Sequence, residues 1–299
     1  MSGWTVTGLS WRDGTPRLTA TDRQREHARE LTPGMRIGWT VAGPRRCTGV
    51  RGTTAPRGCP YRELVAPAGR SSQCETCQRA DPGLALARDR ILDDGRSYRL
   101  YLAWFGPGLL KVGLTGEHRG PARLLDQAAP VFTFVGRGRL PAVRRAELTV
   151  AQAGLARERV PGTVKAAAWW GLPEVADRRG ELLRLRAEVV RLLADHGIEL
   201  FPDGPLVDHV GLLGLADGPP PAYRRITALT PGATLAGTLR PAIGSHLFID
   251  PAEGEPLLLD TRLLAGWGLA GGEVAGCAGL ELLPCARPAG PGTTQDALF

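Results

Sequence analysis

Four of the six cysteines, Cys47, Cys59, Cys74 and Cys77, are spaced C-x11-C-x14-C-x2-C. The pair in QCETC has the gap that lets two thiolates bind one Zn2+ from a single turn. The other two sit beside Gly and Pro in RCTGV and GCPY, where backbone turns can point sulfur inward. None of the five histidines is spaced to complete such a site, so four sulfurs are the simplest ligand set for a structural zinc ion. A redox Cys-x-x-Cys pair and unrelated buried thiols are the competing readings, and no βαβ pattern surrounds the pair to favour the first. Cys277 and Cys285, in an apolar β context, read as core residues.

A second group begins in the stretch YRLYLAWFGPGLLKVGLT, residues 98–115, where two apolar runs meet at Gly-Pro-Gly. Tyr101 lies in the first run, and Lys111 stands just ahead of Gly113 in the second. A tyrosine on one strand and a lysine on the next can lie side by side across the ladder. A phenol needs such a cationic neighbour to ionise near neutral pH. Further along come His118, Arg123 and Glu147. Each has a plain reading too. Tyr101 could be a half-buried strand aromatic and Lys111 a residue of the polar strand face. Arg123 could pair with Asp126 or Glu117, and Glu147 could be a first-turn charge favoured by the helix dipole.

These residues need elements to position them. Residues 1–83, with short β-like pieces such as WTVTGL, PRLTAT and MRIGWTVAG, read as a small β-rich unit whose weak core a bound metal would staple. LALARDRILDD, residues 84–94, reads as a linking helix stopped by Gly95. Residues 84–200 carry longer elements. YRLYLAWFG, LLKVGLT and VFTFVGRG are strand-like, and PARLLDQAA and AVRRAELTVAQAGLA are helical. A longer helix is expected from Glu181 to Asp195, with Leu182, Leu185, Val189, Leu192 and Leu193 as its buried stripe. Residues 201–299 return to short strands, including ATLAGTLR, SHLFID and PLLLD, as a small barrel or paired hairpins, and the tail ARPAGPGTTQDALF reads as loose. The fold class is therefore α+β, a central antiparallel sheet with flanking helices between two β-rich domains.

The net charge of +7 is uneven. Residues 1–200 hold 32 Lys/Arg against 20 Asp/Glu, and residues 201–299 hold 5 against 10. A basic first two-thirds suits a polyanion, DNA or RNA, because phosphate contacts release counterions. The bland alternative is a high-GC bacterial style that places Arg on every solvated surface. No apolar run reaches the roughly 20 residues of a membrane helix. MSGWTVTGLSWRDG lacks the basic start and apolar segment of a secretory signal, so a cytoplasmic protein with reduced thiols is expected.

The order strand–hairpin–strand–helix–strand–helix in residues 98–160 resembles the GIY-YIG nuclease superfamily. Leu100-Tyr101 stands at the first motif, Lys111-Val112-Gly113 at the second, Arg123 opens the next helix and Glu147 lies in a later one. More narrowly, RCTG, QCETC, YLAWFG, LLKVGLT, RLLDQAA and the late GTLxxxxGxxLxxD together resemble the bacterial family called domain of unknown function 2797. The resemblance implies a zinc-binding N-terminal part joined to a GIY-YIG-like core. It implies an endonuclease in which Tyr101, Arg123 and Glu147 converge on one phosphodiester. Glu147 would hold Mg2+ or Mn2+, Arg123 would stabilise the transition-state charge, and Tyr101 would orient or deprotonate water beside Lys111, with His118 as a spare base. The chain departs from the pattern at Arg99-Leu100, where a glycine leads the first motif, and at Lys111, where the second has tyrosine. A binding module that keeps the fold without the chemistry, or an interaction scaffold, are the other readings.

Overall fold

The computed structural model describes residues 4–22, 25–50, 57–69, 71–87, 90 and 93–287. It is a mixed α+β protein dominated by strands. The first sheet is a meander of β1 (Thr5–Arg12), β2 (Thr15–Thr21) and β3 (Glu26–Glu30). Asp13-Gly14 joins β1 to β2, both residues at positive φ (49° and 77°), as a two-residue hairpin turn requires. The next strand, β4 (Arg36–Ala42), leaves this meander. The short helices α1 (Glu75–Ala80) and α2 (Pro82–Ala87) follow the cysteine-bearing loops. Asp81 caps α2, its carboxylate accepting from the Leu84 N–H at 3.0 Å. Of the linking helix expected over 84–94 only the part to Ala87 is helical, in α2; residues 90, 93 and 94 are not helical, 88–89 and 91–92 lie outside the described residues, and so does most of the expected loose tail.

The central sheet is antiparallel, with β6 (Leu110–Gly116), β5 (Ser97–Trp104), β7 (Val131–Arg139) and β8 (Glu199–Leu200) in that order, and β9 (Val207–Asp208) also on β7. Strand alternation divides its side chains between two cores. Leu100, Leu102 and Trp104 of β5 and Val112 of β6 point to one face. There they meet α4 (Leu140–Gln152), through Leu140, Val143, Ala146 and Val150, and α6 (Val175–Leu192). Tyr101, Ala103 and Phe105 point to the other face, with Leu124 of α3 (Ala122–Asp126). The seven-residue α5 (Gly162–Ala168) joins this second face, its Ala168 packing against Gly106. The long helix starts six residues earlier than its leucine stripe suggests. Arg178 continues the buried stripe of Leu182, Leu185 and Val189, paired with Asp208 at 2.8 Å. An apolar periodicity cannot register a buried arginine.

The third sheet joins β4 to the C-terminal strands β10 (Ala222–Leu239), β11 (His246–Asp250), β12 (Leu257–Asp260), β13 (Gly268–Gly271) and β14 (Ala278–Ala286). β10 pairs with β12 in its first half and β11 in its last two residues, while β11 pairs β12, so these three strands close into a ring. β4 lies between β10 and β13. Trp11, Leu18 and Trp39 share one core with Leu235, Phe248 and Trp267. The compositional boundaries at 83 and 201 thus separate strands that one sheet and one core unite. Helix α3 ties this body to the central sheet, because neighbouring Leu124 and Leu125 enter different cores. Cys277 and Cys285 are half-buried at the margin of the large core rather than inside it. No helix among the described residues is long and apolar enough to cross a membrane.

Candidate functional site

The four cysteines of the knuckle spacing are all buried, and their sulfurs lie within 4.8 Å of one another. None is in a disulfide. Local backbone explains how two loops bring sulfur together. Gly49, two residues after Cys47, has φ +81°, and a Cβ there would stand 2.0 Å from the Arg57 carbonyl. Only glycine allows that turn to close on the strand-like return through Arg57. Cys74 sits at the N-cap of α1, so Cys77 returns to its side one turn later. The Cys47 sulfur accepts N–H bonds from Gly49 at 3.3 Å and Cys74 at 3.1 Å, contacts that favour a thiolate.

Buried Arg45 ties the cluster to the body of the protein. It donates to the carbonyls of Ala265, Ala66, Pro67 and Gly69. Burial pushes the Cys47 thiol up to about 11, against the backbone bonds from Cys74 and Gly49. Burial, with the neighbouring Cys74 and Cys47 thiols, pushes Cys77 up as well. At Cys59 burial is outweighed by backbone bonds at Glu63 and Tyr61, and the thiol falls. Four thiol sulfurs so placed form a donor set able to hold a soft cation. Among the described residues this is the one group of three or more Cys, His, Asp or Glu side chains close enough to share an ion.

On the central sheet, Tyr101 pairs with Gly113 and Ala103 with Lys111, which places Lys111 diagonally beside Tyr101 on the same face. A Cβ at position 113 would lie 2.2 Å from the Tyr101 hydroxyl, so the glycine is what lets the ring lie across β6. Lys111 Nζ stands 5.4 Å from the centre of that ring, buried, and donates to the carbonyls of Val112 at 2.9 Å and Glu158 at 2.6 Å. The Tyr101 hydroxyl accepts instead from Gln127 Nε2 at 2.9 Å. Arg123 rides on α3 one turn before Gln127. Its expected surface partners are engaged elsewhere, Asp126 with Arg119 and Glu117 with Arg99 and Arg137. Among the described residues no hydrogen bond or ion pair holds the Arg123 guanidinium.

Sequence reasoning missed two members of this face, Gln127 and, more consequentially, Lys165 of α5. Its Nζ stands 3.7 Å from the centre of the Phe105 ring and donates to the Gln127 carbonyl at 3.1 Å. Burial, then the charges of Lys111, Arg123 and Arg262, push its amine down to about 7. A signal was present in the chain. Of 37 basic residues only two, Lys111 and Lys165, are lysine, and the fold brings those two together.

The structure places the other two expected residues elsewhere. Glu147 is on α4, whose buried stripe packs against Leu100, Leu102 and Trp104, the opposite face of the sheet from Tyr101 and Lys111. The single pocket of Tyr101, Arg123 and Glu147 is therefore not what the packing builds, because alternate residues of β5 serve different helices. His118, in the turn after β6, lies over Gly116, which pairs with Tyr98. That is three register positions from Tyr101, about 10 Å along the strand. Burial, then Arg96 and Arg119, push its imidazole down. Tyr101, Lys111 and Arg123 are thus brought together with Lys165 and Gln127, without Glu147 or His118.

No family model, curated protein or solved structure matches this chain.

Proposed function

We propose that this is a zinc-stapled nucleic-acid-binding protein that grips phosphate without hydrolysing it. The observation that carries the reading is the Arg123 guanidinium, held by no hydrogen bond or ion pair among the described residues, beside two lysines that donate to backbone carbonyls, on the face of the sheet opposite Glu147. A guanidinium offers paired donors to phosphate oxygens, and ammonium groups add point charges. The basic balance of residues 1–200 supplies the wider field that draws a polyanion in.

Zn2+ is the ion that the cysteine cluster fits. In a tetrahedral site with bonds of about 2.3 Å the sulfurs stand roughly 3.8 Å apart, so a cluster already within 4.8 Å needs only a small contraction. Cys47, Cys59, Cys74 and Cys77 would be the ligands, and the ion would supply folding energy to loops with little apolar core. The endonuclease of GIY-YIG type retains Tyr101, Lys111 and Arg123 in support, together with the middle position of β5 in the sheet. It asks Mg2+ or Mn2+ on Glu147 to act from across that sheet.

One experiment separates the readings. Labelled DNA and RNA are offered to the zinc-loaded protein at increasing salt, with and without Mg2+ or Mn2+. Binding is expected to fall steeply with salt and to be indifferent to the divalent ion. Arg123→Ala should weaken it about tenfold and lower the salt slope by about one. Cleavage that needs Mg2+ or Mn2+ and disappears in Glu147→Ala would replace this reading with the nuclease. Loss of all retention at low salt would leave a protein-interaction scaffold.

A further inference from the structure

The Lys165 amine is a charge with no internal reason to be where it is. It has three N–H donors, of which one reaches the Gln127 carbonyl, while the Phe105 ring covers one side. The charged groups that act on it are Lys111 from β6, Arg123 from α3 and Arg262 from the turn after β12, and all are cations. Arg262 is satisfied by both carboxylate oxygens of Asp260, and Lys111 by two carbonyls. Among the described residues no carboxylate pairs with either lysine or with Arg123. Gathering half-buried cations without an anion costs free energy, and a chain that otherwise uses arginine has placed both its lysines here.

We infer that Lys165, Lys111 and Arg123 together hold one tetrahedral oxyanion of phosphate type above the Tyr101 face. Lysine suits this position because its amine can shed its charge when the site is vacant, which arginine cannot. With burial and three cations holding the amine near half-protonation at neutral pH, an arriving anion draws about half a proton per site, on average, from solvent onto Nζ, and the ammonium then donates to the anion. The inference rests on reading this face as a phosphate-binding surface, and Lys165 adds a group to it that is not in the motif resemblance.

Calorimetry on the full-length, zinc-loaded protein tests it with inorganic sulfate, which does not itself titrate near pH 7, and then with inorganic phosphate. Measured in buffers of different ionisation heat, wild type should bind one anion with net proton uptake at pH 7, and the uptake should vanish at pH 5.5. Lys165→Met should bind roughly tenfold more weakly or worse, with no uptake. Lys165→Arg should keep most of the affinity, also without uptake, a split that a merely structural residue would not give. Thermal melts confirm that both variants are folded. Wild type that binds neither ion, or a folded Lys165→Met that binds as wild type does, overturns the inference. If sulfate binds as described but oligonucleotides do not, the nucleic-acid reading fails and the anion site stands. If oligonucleotides bind equally to wild type and Lys165→Met, the failure belongs to Lys165 alone.

Discussion

The cysteine cluster and the Tyr101 face solve opposite versions of one problem. In the first, burial pushes the Cys47 and Cys77 thiols up, so they hold their protons until a cation takes their place. In the second, burial and neighbouring charge push the Lys165 amine down, so it loses its proton until an anion restores it. Desolvation penalises the charged form in both, and the missing counter-ion has the opposite sign. They also differ in how they are assembled. The thiols come from two turns within 31 positions of chain, whereas the cations come from a strand and two helices that meet only after the sheet has formed. The first should fail as a local unit, and the second should fail by degrees.

The largest effect expected is on the first region. Cys74→Ser removes a ligand and a contact to the sulfur of Cys47, and should lose the metal and more than about 4 kcal/mol of stability. Metal content together with proteolysis of residues 45–81 would show it. Full metal retention in that variant would reduce the cluster to buried thiols. The two regions should also differ in proton traffic. Adding Zn2+ to metal-free protein should release protons, the reverse of the uptake expected with sulfate, and a pH-stat can read both signs.

Gly113→Ala comes next. Its Cβ would meet the Tyr101 hydroxyl, and either the ring or β6 must move, at a cost of about 2 kcal/mol. A parallel loss of nucleic-acid affinity would tie Tyr101 to the binding face. Unchanged stability would mean that the ring has another place to go.

A smaller effect is expected from pH. The Lys165 amine falls from its ordinary value of 10.5 to about 7 on folding, so the native state prefers it neutral. Anion-free protein should therefore be most stable above the unfolded value, losing that stability as pH falls through the interval down to about 7. Lys165→Met should flatten this slope in thermal melts and melt higher than wild type at pH 7. The partial exposure of the side chain keeps the stability change modest. Least of all is Glu147→Ala, which should change nucleic-acid affinity less than about twofold, because α4 lies behind the sheet.

Much of the central sheet and its helices was legible along the chain. The two apolar runs that meet at Gly-Pro-Gly, YRLYLAWFG and LLKVGLT, mark β5 and β6, and Leu182, Leu185 and Val189 mark the face of α6. The start of α6 was not legible, because its stripe continues through Arg178 and not through an apolar residue. Helix α5 was missed because seven residues give too little periodicity to read, and Lys165 was missed with it. The merging of β4 with β10 and β13 could not be read from composition. It depends on pairing between residues about 200 positions apart.

By itself the sequence determined which four sulfurs could serve one ion, since a two-residue gap and a glycine turn act through neighbouring covalent geometry. It also determined, through period two, that Tyr101 and Lys111 could share a face. Only the tertiary structure decided that Lys165 joins them and that Glu147 does not. A helix's apolar stripe says which side of the helix is buried, and says nothing of which side of a sheet that helix will cover. That choice belongs to the path of the chain after each strand, and here it sent α4 to one face and α5 to the other.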